Sequence, residues 1–165
     1  MKEAAKLIRD ILIKEMELDN SRIWIYNSDA ILPTDDELFI VLQIKSRPPY
    51  SNNVKYEETT NGLNEIQTMT VAEVIQIDIC SKNTEARERA YEVQMAMRST
   101  FAIQTQEANQ FSISRIAPVQ DISFLEATSR LNRYSCEVRV ISAYTKTKNV
   151  DYYDTFESEI TLVEE

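Results

Sequence analysis

VAEVIQIDICSKNTEARERAYEVQMAMRS, residues 71–99, changes its hydrophobic period once, and that change decides the fold. Through Cys80 the apolar side chains Ile75, Ile77 and Ile79 recur every second residue, which is the spacing of one strand face. After Ser81 the spacing becomes three and four, through Ala86, Ala90, Val93, Met97 and on to Phe101, which is the stripe of a helix. Ser81, Asn83 or Thr84 can cap its start, and Glu85 and Glu88 fall in the first turn, where carboxylates meet unsatisfied amides. The stretch predicts a strand over 71–80 feeding a helix over 83–99, with Arg87, Glu88, Arg89 and Glu92 as its solvated face.

Toward the N-terminus, Ala4, Leu7, Ile8, Ile11, Leu12 and Met16 stand at helical spacing opposite mostly charged residues, so 2–18 reads as an amphipathic helix. Asp19-Asn20-Ser21 breaks it, and RIWIYNS (22–28) reads as a short strand. Residues 33–36 form a loop. ELFIVLQIKS (37–46) is apolar on both faces at its start, as suits a central strand covered on both sides. RPPYSNNVKYEETTNGLNEIQTMT (47–70) then turns polar and alternating around Asn61-Gly62, a pair that tolerates the positive φ of a type I′ turn. This predicts a polar hairpin over about 53–70, with too few apolar residues to be buried on both faces and therefore projecting. It is expected to be mobile in the isolated subunit. QFSISRIAPV (110–119) and residues 133–145 complete the strands, the latter ending at Tyr144 ahead of a polar Lys146–Asn149 link. The expected fold is α+β: two helices on one face of a mostly antiparallel sheet, in one domain spanning 1–165, with a C-terminal extension from about 146.

With 165 residues, 43% hydrophobic and 27% charged, the chain is long enough and apolar enough to bury a core. Acidic residues outnumber basic ones 27 to 18, and a net charge of -9 argues against holding nucleic acid, whose phosphates call for clustered Lys and Arg. No apolar run approaches a membrane span, and the charged MKEAAKLIRD start is unlike a signal peptide, so a cytoplasmic location is expected. Cys80 and Cys136 lack metal or disulfide spacing and read as reduced, packed thiols.

The chain contains no histidine, which removes the commonest general base and metal ligand. Its single glycine, Gly62, excludes the glycine-rich phosphate loops. The acid pairs Asp35-Asp36, Glu57-Glu58 and Glu164-Glu165 fall in loop, hairpin and terminus and read as solvated charge. Asp151 and Asp154, flanking Tyr152-Tyr153, match no calcium-loop spacing. No enzyme and no cofactor are expected; a hydrolase built on acids is the weakest reading. Contact surface is what remains. Tyr144, Tyr152, Tyr153 and Phe156 cluster past the expected end of the last strand, with Arg47, Pro48, Pro49 and Tyr50 as a second patch and Asn61 at the hairpin turn. Tyrosine and arginine supply interface area with few rotors, so these residues are candidates for contacts between subunits or with a partner. The opposing reading folds the tail over its own sheet. A monomeric or dimeric adaptor that grips one partner through the tail also fits.

In these segments the chain resembles the neck or tail terminator proteins of tailed bacteriophages. The likeness runs from about residue 37 to 156, through ELFIVLQIKSRPP, the polar hairpin, VIQIDICSKNTEARERAYEVQMAMRS, IAPV, SFLEATSRLNRYSCEVRV and VDYYDTF, of which the QIDI strand and RYSCEVRV are the best markers. The resemblance implies a structural virion protein without catalysis. It further implies a ring of six copies that caps the finished tail tube, ends its polymerisation and offers a surface to the head connector. The partners it implies are the tail tube protein, connector or neck proteins and the chain itself, with DNA passing nearby but not specifically bound. The location it implies is the host cytoplasm during assembly and the virion afterwards.

Overall fold

A computed structural model describes residues 3–26, 33–59, 62–126 and 129–150. Helix α1 (Ala4–Glu15) runs into a 3-10 turn at Asn20–Arg22 and the short strand β1 (Ile23–Ile25). Strands β2 (Phe39–Ser46), β3 (Pro49–Thr59) and β4 (Gly62–Ser81) follow. Three helices, α2 (Glu85–Arg89), α3 (Glu92–Ala96) and α4 (Thr100–Asn109), lead to β5 (Phe111–Ile116), β6 (Gln120–Asp121), β7 (Phe124–Glu126) and β8 (Ser129–Val150). The central path of the sheet is β1-β2-β4-β8-β5, parallel at β1–β2 and antiparallel elsewhere. This is an α+β fold with a mostly antiparallel mixed sheet.

The period-2 reading places the core. Ile75, Ile77 and Ile79 of β4 are fully buried, and the register sets Ile77 against Leu42 and Cys136, and Ile75 against Val138. On that face lie Leu7, Ile8, Ile11 and Leu12 of α1 and Ala86, Ala90, Val93 and Met97 of the second helical region, in one hydrophobic cluster. Each large aliphatic side chain so buried stabilises the fold by about 1.5–3 kcal/mol.

The second helical region departs from the expected single helix over 83–99. Ser81 and Asn83 both cap it: Ser81 Oγ accepts from the Ala86 amide at 3.0 Å and Asn83 Oδ1 from the Glu85 amide at 2.9 Å, while Thr84 makes no side-chain cap. The backbone stays in the right-handed helical region through Ala90 and Tyr91, so α2 and α3 follow one path under one apolar stripe. At Ser99 the backbone is extended (ψ 161°), and its hydroxyl accepts from the Ala102 amide to start α4, a helix the apolar spacing does not announce. The sheet's other face carries no helical layer among the described residues. The covering expected on both sides of 37–46 is therefore replaced, at the start of β2, by Phe39 set edge-on to Trp24 at 5.7 Å.

The largest departure concerns the last strand. β8 does not end near Tyr144: residues 146–149 continue it, with Lys146 opposite Gln67 and Asn149 opposite Asn64. The polar stretch is strand and not a link.

Candidate interface: the strand ribbon and its base

Beyond Val71 the sheet loses its helices and narrows to three strands, with β4 flanked by β3 on one side and by the end of β8 on the other. Every residue of β3 is exposed. The hairpin pairs Thr59 with Gly62, whose φ of +126° suits a residue without a Cβ. Asn61, proposed for the turn, lies outside the described residues.

Alternation divides the ribbon into two unlike faces. On one, continuous with the helix-bearing face, cross-strand rows join Asn52, Met69 and Tyr144, then Val54, Gln67 and Lys146, then Tyr56, Glu65 and Lys148, then Glu58, Leu63 and Val150. The opposite face carries Asn53, Thr68 and Thr145, then Lys55, Ile66 and Thr147, then Glu57, Asn64 and Asn149. The Thr68 and Thr145 hydroxyls lie 3.4 Å apart, and Asn149 donates to Asn64 over the same distance. The ribbon's exposed apolar side chains Val54, Tyr56, Met69 and Tyr144 thus share the first face, at 41%, 59%, 40% and 37% exposure. The described residues leave each of them more than a third exposed, which is the pattern of a contact surface.

At the ribbon's base sits a charged cluster. Between β2 and β3 the register slips twice, at Ile44/Ser46 and at Pro49/Ser51, and Arg47 stands in that break. Its Nε donates to Glu73 Oε2 at 3.0 Å and an Nη to Glu3 Oε1 at 2.6 Å. The Tyr144 hydroxyl donates to the other Glu73 oxygen at 3.0 Å. Glu73 is fully buried, and both of its oxygens accept hydrogen bonds, which offsets the cost of burying a polar group. The Glu3 carboxylate, ahead of Glu73, raises the Arg47 pKa. Burial is the chief cause that raises the Tyr144 hydroxyl above the ordinary phenol value. A second pair, Arg133 donating to the nearly buried Asp78 at 2.7 Å, lies on the opposite face of the sheet.

The structure therefore gives the proposed contact residues different places. Arg47 and Tyr144 meet on Glu73 and lock the ribbon's base to α1 through Glu3; this contact within the subunit was not legible, because Tyr144 and Glu73 are 71 residues apart. Tyr50 stands apart from them at the β3 bulge, 68% exposed. Tyr152, Tyr153 and Phe156 lie outside the described residues. The premise that an irregular link frees them is corrected, since β8 continues through residues 146–149 to Val150, opposite Leu63 near the hairpin end. The apolar row of Val54, Tyr56 and Met69 was missed; counting alternate residues on each side of Asn61-Gly62 was the signal that could have found it.

Among the described residues no group of three or more Cys, Asp or Glu is placed to hold a metal ion, and no helix is long and apolar enough to cross a membrane. A helix-backed sheet drawn out into a bare three-stranded ribbon defines an α+β protein whose most distinctive surface is a sheet extension without a covering layer. The chain belongs to the phage neck terminator protein family, whose sequence model matches residues 2–165, and this is a family of structural virion proteins. The match takes in residues 2–36, which carry almost none of the resemblance seen in the sequence. No curated protein matches the chain.

Proposed function

We propose that this chain is a non-catalytic subunit of the phage neck that ends the tail. Copies close into a ring, six in number, on the finished tail tube, stop its polymerisation and present the surface on which the head connector joins. The observation that carries this reading is the family match across residues 2–165. The bare ribbon supports it by offering surface to a neighbouring subunit or the tube, and the net charge of -9 suits a conduit through which DNA passes without adhering. In this reading Tyr50, Asn61, Tyr152, Tyr153 and Phe156 make the contacts between subunits or with the connector, while Arg47 and Tyr144 hold the ribbon at the angle those contacts need. No cofactor takes part, and the protein passes from the host cytoplasm into the virion.

Negative-stain imaging of particles assembled without this protein tests the proposal. Tails of uncontrolled length, or heads and tails left unjoined, are expected. Joined particles with tails of normal length would show that the chain does something else.

A further inference from the structure

On the sheet face opposite the helices, Arg115 of β5 stands directly across from Arg139 of β8. Like charges at paired positions destabilise a sheet, and both side chains are exposed. Among the described residues neither guanidinium has an ion-pair partner. The two arginines border one depression of about 270 Å³ whose remaining lining is Pro48, Ala72, Val74, Ala117 and Glu137. A second depression of about 280 Å³ shares Ala117 and Glu137 and extends the first into a trough along the sheet. A repulsive arginine pair left without an internal partner in an acidic chain is a local conflict, and such conflicts collect where a ligand resolves them.

The sequence holds a ligand of matching chemistry. Residues 151–165, DYYDTFESEITLVEE, carry six carboxylates and no basic residue, alternating with Tyr152, Tyr153, Phe156, Ile160 and Leu162. Acidic and apolar side chains in turn suit the first depression, where two guanidiniums stand beside Pro48, Ala72, Val74 and Ala117 with Glu137 as the one carboxylate; the second depression adds the polar Gln76, Gln120 and Ser135. Direction decides whose trough is filled. From Arg139 the strand runs eleven residues outward to Val150, about 36 Å at 3.3 Å per residue, so this segment begins at the far end of the ribbon. To reach its own arginines it would spend most of its length retracing that path. A neighbouring copy has no such requirement.

We infer that residues 151–165 of one copy dock in the Arg115/Arg139 trough of another, their carboxylates paired with the two guanidiniums. This deepens the proposed function, resting on contact between copies but not on the number in a ring. The test uses the full chain carrying Ser158→p-benzoylphenylalanine, mixed as equal parts of light and nitrogen-15-labelled protein and irradiated at low salt. Crosslinks joining residue 158 to peptides containing Arg115 or Arg139, in light–heavy pairs, are expected. Their yield should fall at least tenfold in the Arg115→Gln, Arg139→Gln variant, which should melt no lower than the parent because a repulsion has been removed. Should that variant misfold, raising salt to about 0.5 M on the parent chain gives the same reading, since screening weakens exposed ion pairs. Crosslinks confined to light–light and heavy–heavy pairs, crosslinks mapping elsewhere, or a yield indifferent to both arginines and salt overturn the inference. So does a short DNA duplex that binds the parent and not the variant, because the pair would then be a phosphate site. Normal tails without the protein would sink the proposed function and leave this contact standing; a missing light–heavy crosslink does the reverse.

Discussion

Replacing Arg47 with Met should uncouple the ribbon's base by stranding a buried charge. Glu73 is fully buried and accepts from two donors; removal of Arg47 leaves one carboxylate oxygen with no partner in a place water does not reach. Breaking a wholly buried ion pair costs about 3–5 kcal/mol. Arg47 itself is 47% exposed, so part of its contribution is screened, and a loss of about 2 kcal/mol is expected. For a chain of this length that is a fall in Tm of about 4–8 °C. The decisive arm is the double variant Arg47→Met with Glu73→Met. If the cost lies in the stranded carboxylate, removing it should return about 1 kcal/mol or more, and the double variant should be more stable than the single one. Urea unfolding at constant m-value measures both. A double variant less stable than Arg47→Met alone would refute the reasoning, because the arginine's worth would then lie in packing or in its bond to Glu3.

Three further outcomes follow. In the isolated subunit, amide hydrogens of β3 should exchange quickly and those of residues 75–80 slowly, since one strand buries nothing and the other lies at the centre of the core; equal protection would contradict the division. Burial pushes the Cys80 and Cys136 thiols from the ordinary 9.0 up to about 12, so the folded chain keeps protons that the unfolded chain loses. Their contribution to stability is intact below pH 9 and declines as pH rises toward 12, and a thiol reagent near neutral pH should modify both only after unfolding; rapid modification of the native protein would show the burial to be wrong. Tyr152→Ala with Tyr153→Ala should leave Tm almost unchanged while weakening association by about thirtyfold, as expected for loss of about 2 kcal/mol at an aromatic anchor; a drop of several degrees would place the tyrosines on their own sheet.

Wherever burial on one side leaves a periodic mark, the sequence was legible. Helix 2–18 appears as Ala4–Glu15, and strands 37–46, 71–80 and 133–145 fall on or within β2, β4 and β8. The end of β8 was misread for the complementary reason. Lys146 to Asn149 lie in a ribbon that buries little, so pairing with β4 shapes the backbone without selecting apolar side chains, and only Thr145 and Thr147 hint at strand. Helix α4 escaped because its start depends on one cap, Ser99, and its end on Gln110 in the left-handed region at φ 55°, where a glycine would have been the usual signal. Among the contact candidates, Arg47 and Tyr50 were visible as residue types, yet nothing local distinguishes an arginine that holds a buried glutamate from one that faces a partner. That distinction belongs to register between distant strands.

The length of β4 has a mechanical side. Its 20 residues make a single beam about 66 Å long at 3.3 Å per residue, clamped under the helices over one half and free over the other, with β8 bonded along nearly all of it. The strands on its other flank are interrupted where Arg47 stands, so stiffness is unequal across the beam's width. A sideways load at the tip should therefore bend it about that interruption, and the strain should arrive first at Glu73 and, through Arg47, at the first turn of α1. Whatever seats itself on the ribbon gains a mechanical line to the helix layer through a hinge one arginine wide.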